Sequence, residues 1–315
     1  MAGAGGTKQH ARRVPLAEPI DLPLTLWPLR HGRGDPCTRW EAGRWWRATR
    51  TPEGPATLAL RLASTEAVLV AQAWGPGAQW VLDQAPGVAG ADDDVGPWRA
   101  MATPDRVVGD LRRRHAGLRM PTTKAVFEAL LPAILEQKVT GVEARRSWCD
   151  LVGALGEPAP GPEARRLGLM LPPAPDLVAS TPYWAMHAFG VPRARAETLR
   201  AVGANAARLE ETSAMRPERA RRRLSTIPGV GPWTAAEVSA VALGDPDAVS
   251  IGDFHLPNQV AWALRGRPRG DDEMMLELLE PYRGQRARVL RLINAAGISA
   301  PRFGPRGAIR SFRRW

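Results

Sequence analysis

The chain has 315 residues, 44% of them hydrophobic and 24% charged, the balance of a soluble globular protein of two or three domains rather than a disordered one. No apolar run reaches transmembrane length, the opening residues lack an apolar signal core, and two cysteines, Cys37 and Cys149, are too few for a disulfide framework or a four-cysteine zinc site; all three features suit the cytoplasm. Lysine and arginine total 43 against 32 acids, and the net charge of +11 points to a polyanionic partner, nucleic acid before membrane.

Residues 1–20 read as a disordered basic tail. Residues 21–102 read as a small β-rich domain, in which 45–50 form a strand leading into Thr51-Pro52-Glu53-Gly54. Proline second and glycine fourth in that tetrapeptide suit a type I turn. Strands over 57–62 and 67–74 follow, then a short helix over 79–84. Residues 86–97, with Asp92-Asp93-Asp94, read as a solvated loop. From 103 to 299 the pattern becomes helical. Thr103-Pro104 is a cap-plus-proline signal for a helix to about Arg114. Val126, Leu130, Ala133, Ile134 and Leu135 recur at helical spacing within 124–139, where Pro132 marks a kink or a start. Further helices are expected over 143–155, after Thr181-Pro182, and over 193–209, 217–226, 233–243, 257–264, 272–280 and 285–295. Residues 300–315 form an arginine-rich tail.

Within 216–243 one helix leads through Pro228-Gly229-Val230-Gly231 into another. Two glycines permit a tight turn and a close backbone approach to a phosphate. The turn's N–H groups open the second helix, whose dipole also favours an anion. Arg219, Arg221, Arg222 and Arg223 add positive charge nearby. A plain helical hairpin with a glycine loop satisfies the same pattern.

The flanking motifs narrow that choice. Phe127-Glu128 with Ile134-Leu135 and Gln137 comes first, then Ala188-Phe189-Gly190-Val191-Pro192 with Arg195-Ala196. Leu224, Ile227 to Gly231 and Trp233-Thr234-Ala235 follow, and Gly252-Asp253-Phe254-His255-Leu256 closes the series. In this order and spacing, over roughly 103–295, the chain resembles the helix-hairpin-helix DNA glycosylase superfamily, most closely the bacterial 3-methyladenine DNA glycosylase II family. The resemblance implies an α+β architecture: a mostly α helix-hairpin-helix glycosylase fold with a small N-terminal antiparallel β-rich domain. It implies a monofunctional DNA glycosylase that flips alkylated bases, such as 3-methyladenine or 7-methylguanine, out of double-stranded DNA. Hydrolysis of the N-glycosidic bond then initiates base excision repair. A monomer without membrane association is expected.

The resemblance makes Asp253 the catalytic carboxylate, which would stabilise the oxocarbenium-like sugar. Asp253 also suits the cap of the helix that follows. Trp233 stands where bifunctional relatives carry a Schiff-base lysine; its indole suits stacking on a cationic base. The pocket would comprise Trp233, Glu237 one turn further on, Gln137 and Arg291. Glu237 replaces an aromatic residue of the family, and Arg291 a tryptophan. DNA contacts fall on Pro228, Gly229, Val230, Gly231, Thr234 and Arg223, and on Lys138, which stands where the family inserts an apolar wedge. The resemblance also implies a sodium or potassium ion, held by the carbonyls of Ser225, Ile227 and Val230 and bridging to a DNA phosphate; no other cofactor is expected. Two other readings stand beside this one. A non-catalytic hairpin protein that binds DNA or lesions would have no need of Asp253. A glycosylase for oxidised or deaminated bases is suggested by Glu237 and Arg291.

Overall fold

A computed structural model describes residues 9–63 and 67–301. Five strands, β1 (His10–Pro15), β2 (Thr38–Glu41), β3 (Arg44–Thr51), β4 (Gly54–Leu62) and β5 (Val68–Trp74), form an antiparallel sheet in the order β1-β5-β4-β3-β2. β1 corrects the sequence reading. Residues 10–15 pair along β5, from His10 opposite Ala73 to Pro15 opposite Val68, in place of a disordered tail. Its side chains are mostly exposed, so no apolar alternation announces it; main-chain pairing on the sheet edge holds it.

The sheet is covered on both faces. Trp45, opposite Leu60, joins Leu58, Leu69, Ala71 and Ala73 under α1 (Leu22–Leu26) and α2 (Ala78–Val88). Trp46, opposite Ala59, faces the other way and stacks on Trp74 with ring centroids 5.5 Å apart. That side is covered by Leu169 and Leu171, beside the short pair β6 (Glu157–Pro158) and β7 (Met170–Leu171). Burial of both faces is why the strands carry continuous apolar runs as well as alternation.

The other helices are α3 (Gly96–Ala100), α4 (Arg106–Arg114), α5 (Val126–Leu135), α6 (Gly141–Leu155), α7 (Pro162–Arg166), α8 (Pro175–Ser180) and α9 (Tyr183–His187). They continue as α10 (Arg193–Ala204), α11 (Ala206–Glu210), α12 (Pro217–Leu224), α13 (Pro232–Ala242), α14 (Leu256–Arg265), α15 (Asp272–Leu279) and α16 (Arg286–Ala295). α6 opens with a reciprocal capping box between Thr140 and Glu143. Three expectations need correcting. The stretch 86–97 is only partly loop, because α2 runs through Pro86 to Val88 and α3 starts at Gly96. The helix expected over 193–209 breaks at Asn205. Asp93 is not solvated: it pairs with the buried Arg288 at 2.7 Å and accepts the Met120 N–H at 2.9 Å. Residues 1–8 of the basic tail, and 302–315 of the arginine-rich one, lie outside the described residues.

Among the described residues the helices build two main apolar cores, beside a small cluster of Met120, Ala236, Ala248 and Ala287. α5 is buried nearly all round and centres the larger, against α6, α10 and α13. The smaller gathers α4, α14, α15 and α16 around Tyr282 and Val289. Sheet and α5 are tied by Glu128, which pairs with Arg47 at 2.8 Å, accepts the Thr49 hydroxyl at 2.8 Å and takes the Arg50 N–H at 2.6 Å. With both oxygens engaged, this buried carboxylate fixes how the sheet sits on the helices.

Candidate active site

α12 and α13 form the two arms of the hairpin, joined by 225–231. Gly229 has φ +86°, and a Cβ there would fall 2.0 Å from the Thr198 hydroxyl oxygen on α10, so the turn requires glycine. Gly231 differs. Its backbone is extended, with φ −86° and ψ −178°, and a Cβ would meet nothing within 4 Å. The Gln137 amide donates to the Gly229 carbonyl at 2.9 Å and to the Thr234 hydroxyl at 2.8 Å. Gln137 therefore braces the hairpin, a correction to its expected place in the pocket. Thr234 is 2% exposed, so its hydroxyl does not present to a phosphate. Among the hairpin arginines, Arg221 pairs with the buried Asp245, which also accepts the Ser239 hydroxyl at 2.8 Å. Arg223 pairs with Glu211 at 3.2 Å, while Arg219 and Arg222 are exposed, as are Pro228 and Gly229.

Asp253 sits at the end of a held loop. Gly252 has φ +88° and donates its N–H to Asp272 at 2.9 Å. The half-buried Asp253 carboxylate accepts three hydrogen bonds. Oδ1 takes the His255 and Leu256 N–H groups at 2.7 and 2.9 Å, and Oδ2 takes the Trp233 indole N–H at 3.0 Å. Asp253 thus caps the turn into α14, and Trp233, packed against the larger core, aims its carboxylate. This orienting role for Trp233 is a geometric finding that spacing alone does not give.

The end of α5 supplies three divergent side chains. Arg195 donates to the Leu135 carbonyl at 2.5 Å, a cation at the negative end of the helix. Beyond it, Glu136 lines a cavity, Gln137 holds the hairpin, and Lys138 is exposed with φ +54°, a left-handed conformation unusual for lysine. The cavity lies between α5, α13 and the segment 28–48, and its walls include His31, Trp148 and Glu237. The Ser250 hydroxyl donates to Glu237. Burial, reinforced by the charges of Glu136 and Asp253, pushes the Glu237 carboxyl up to about 7 against that hydrogen bond. His31 Nδ1 lies 3.7 Å from Glu136, and its ring meets Trp148 edge-on at 5.7 Å.

Arg291 is not among the residues of this wall, a second correction, and Trp233 and Asp253 lie outside it as well. It donates to the Leu24 and Thr25 carbonyls at 3.0 and 2.9 Å and clamps α16 to α1. Burial lowers its pKa to about 10. The sequence reading also missed His31, Glu136 and Ser250. Glu136 adjoins the Gln137 motif, but His31 lies in a segment without a recognisable signal. Among the described residues no cluster of histidine, cysteine, aspartate or glutamate suits a metal, and no helix is long and apolar enough to cross a membrane.

These features match a known architecture. The 3-methyladenine DNA glycosylase of Archaeoglobus fulgidus superposes with a TM-score of 0.74 at 20% identity, over 90% of this chain and 97% of that one. An 8-oxoguanine glycosylase/lyase of Clostridium acetobutylicum, in complex with double-stranded DNA, gives 0.64 at 13% identity, over 88% and 92%. In sequence, the chain is 34% identical over 142 residues to a Mycobacterium tuberculosis protein named "Probable bifunctional transcriptional activator/DNA repair enzyme AlkA". That match covers 44% of this chain and 28% of the relative, so the chain spans under a third of its length. No family model matches. The chain thus has the α+β fold of the helix-hairpin-helix DNA glycosylases and resembles that superfamily, on the AlkA-like side.

Proposed function

We propose that the chain is a monofunctional DNA glycosylase that removes alkylated bases from double-stranded DNA. The observation that carries this reading is the Asp253 carboxylate, held by the Trp233 indole and two main-chain N–H groups beside the glycine hairpin. As an N-alkylated purine departs, it takes the C1′–N bonding pair and leaves neutral, while positive charge grows on the sugar. A fixed carboxylate stabilises that charge without reorganising. Water then adds to C1′, and its proton passes to Asp253 or to solvent. No lysine stands at the Trp233 position, so strand cleavage through a Schiff base has no nucleophile there; the Clostridium neighbour, named a glycosylase/lyase, does not set the expectation for this chain.

The DNA-binding part of the reading rests on the hairpin. Exposed Pro228 and Gly229 and the half-buried Gly231, with Arg219 and Arg222, would meet the backbone of the duplex, and Lys138 would enter the gap left by the flipped base. A sodium or potassium ion on the Ser225, Ile227 and Val230 carbonyls is compatible with the loop. The Ile227 carbonyl already accepts the Val230 N–H at 3.0 Å, which leaves one lone pair, and Ser225 ends α12, at the negative pole of that helix. The enzyme would act as a monomer and need no other cofactor. Chromatography of bases freed from methylated duplex DNA tests the activity, and borohydride trapping tests the mechanism. Free alkylated bases without a trapped adduct support the proposal; an adduct formed through Lys138 would replace it with a lyase.

A further inference from the structure

The cavity between α5, α13 and the segment 28–48 has an acidic wall built from two parts of the chain, and it reaches the catalytic region through Glu237, one turn after the Trp233 that holds Asp253. Glu237 comes from α13 and Glu136 from the end of α5, while His31 comes from the segment after α1. The other charged groups on its walls are already matched. Glu128 is paired with Arg47, and Asp35 accepts from the His31 and Cys37 N–H groups, the Thr38 hydroxyl and the Trp148 indole. One Glu237 oxygen takes the Ser250 hydroxyl, and the other has no protein partner among the described residues. Among the described residues Glu136 meets only the distant His31 nitrogen, at 3.7 Å. Apart from Thr38 and Thr123, the remaining surface is apolar, with Pro28, Leu29, Pro132 and Ala133. A slot with largely apolar sides, one carboxyl oxygen of Glu237 free inside it and a second carboxylate, Glu136, partly exposed on its wall fits a flat cation bearing amino donors better than a neutral ring.

Resting on the glycosylase reading, we propose that Glu237 and Glu136 form a charge-selective wall that admits N-alkylated purine cations through their exocyclic amino edge. Glu237 is the specificity-determining group, and Glu136 and His31 set its charge. The ionised form of Glu237 attracts the cation and accepts its amino hydrogen, while the protonated form does neither well. Burial, with the charges of Glu136 and Asp253, pushes the Glu237 carboxyl up to about 7 against the Ser250 hydrogen bond and the charge of His31. Excision of a cationic base should therefore rise as pH passes through neutrality.

The test is single-turnover release of 3-methyladenine from methylated duplex DNA between pH 5.5 and 8.5, with the full chain in excess. The wild type should show a rise centred near pH 7. Glu237→Gln should remove that rise and cut the rate about tenfold at the alkaline end, with little change at the acid end. Glu136→Gln, at a partly exposed position that folding tolerates, should move the midpoint toward lower pH. Parallel profiles for wild type and both variants would overturn the wall while leaving the glycosylase standing. No base release by the wild type at any pH would overturn both.

Discussion

At the scale of single residues, the site depends on how Asp253 is held. Trp233→Phe keeps a ring in the core and deletes one donor, the indole N–H that reaches Oδ2 at 3.0 Å. The carboxylate then turns more freely. Single-turnover excision should fall about tenfold or more, for about 1 kcal/mol of stability. Equal rates in variant and wild type would remove Trp233 from the mechanism. Glu237 and Glu210 carry a second prediction, for both carboxyls are pushed up to about 7 by burial. Glu210 does so even while accepting the Val126 and Phe127 N–H groups that open α5. Because the folded state holds these protons more tightly than the unfolded chain, stability is full below the ordinary carboxyl range. It is lost as pH rises from there through about 7, at most about 3 kcal/mol for each group. Urea unfolding should show this fall, and Glu237→Gln should flatten part of it. A stability that climbs across the same window would contradict the assignment.

At the scale of elements, the two hairpin glycines separate folding from binding. Gly229→Ala forces a side chain at φ +86° and a Cβ 2.0 Å from the Thr198 hydroxyl, so it should cost about 2 kcal/mol or more. Gly231→Ala meets open space in an ordinary conformation, so its melting temperature should be nearly that of the wild type. If a phosphate approaches that backbone, duplex affinity should still drop about tenfold, equally for intact and damaged DNA. Unchanged affinity, measured by fluorescence anisotropy, would move the duplex off the hairpin. Helix by helix, the sequence was legible wherever local chemistry decides: Gly229 and the apolar spacing of α5 both declare themselves within a few positions. β1 was not, since its stability comes from pairing with a strand some sixty residues away rather than from its own pattern. Gln137 and Arg291 were legible as important but not in role, because their partners, Gly229 and the carbonyls of Leu24 and Thr25, are distant in sequence.

At the scale of the whole molecule, the net charge of +11 and the exposed hairpin arginines predict affinity dominated by phosphate contacts. The logarithm of the binding constant should then fall with that of salt, with a slope of about −0.9 per neutralised phosphate. A shallow slope would shift the account toward base contacts. The cavity is a property of this scale too. It joins the segment 28–48 to α5 and α13 across a seam that Glu128 fixes, so no motif spacing could report it. The central claim, that this molecule breaks glycosidic bonds with Asp253, is tested most directly by Asp253→Asn. Asparagine retains an acceptor for the His255 and Leu256 N–H groups and removes the negative charge, at a cost of about 1 kcal/mol where its amide meets the Trp233 N–H. Single-turnover release of alkylated bases should fall at least about a hundredfold, a loss of about 3 kcal/mol of transition-state stabilisation, while duplex binding persists. A folded Asp253→Asn protein that releases bases at the wild-type rate would contradict the account.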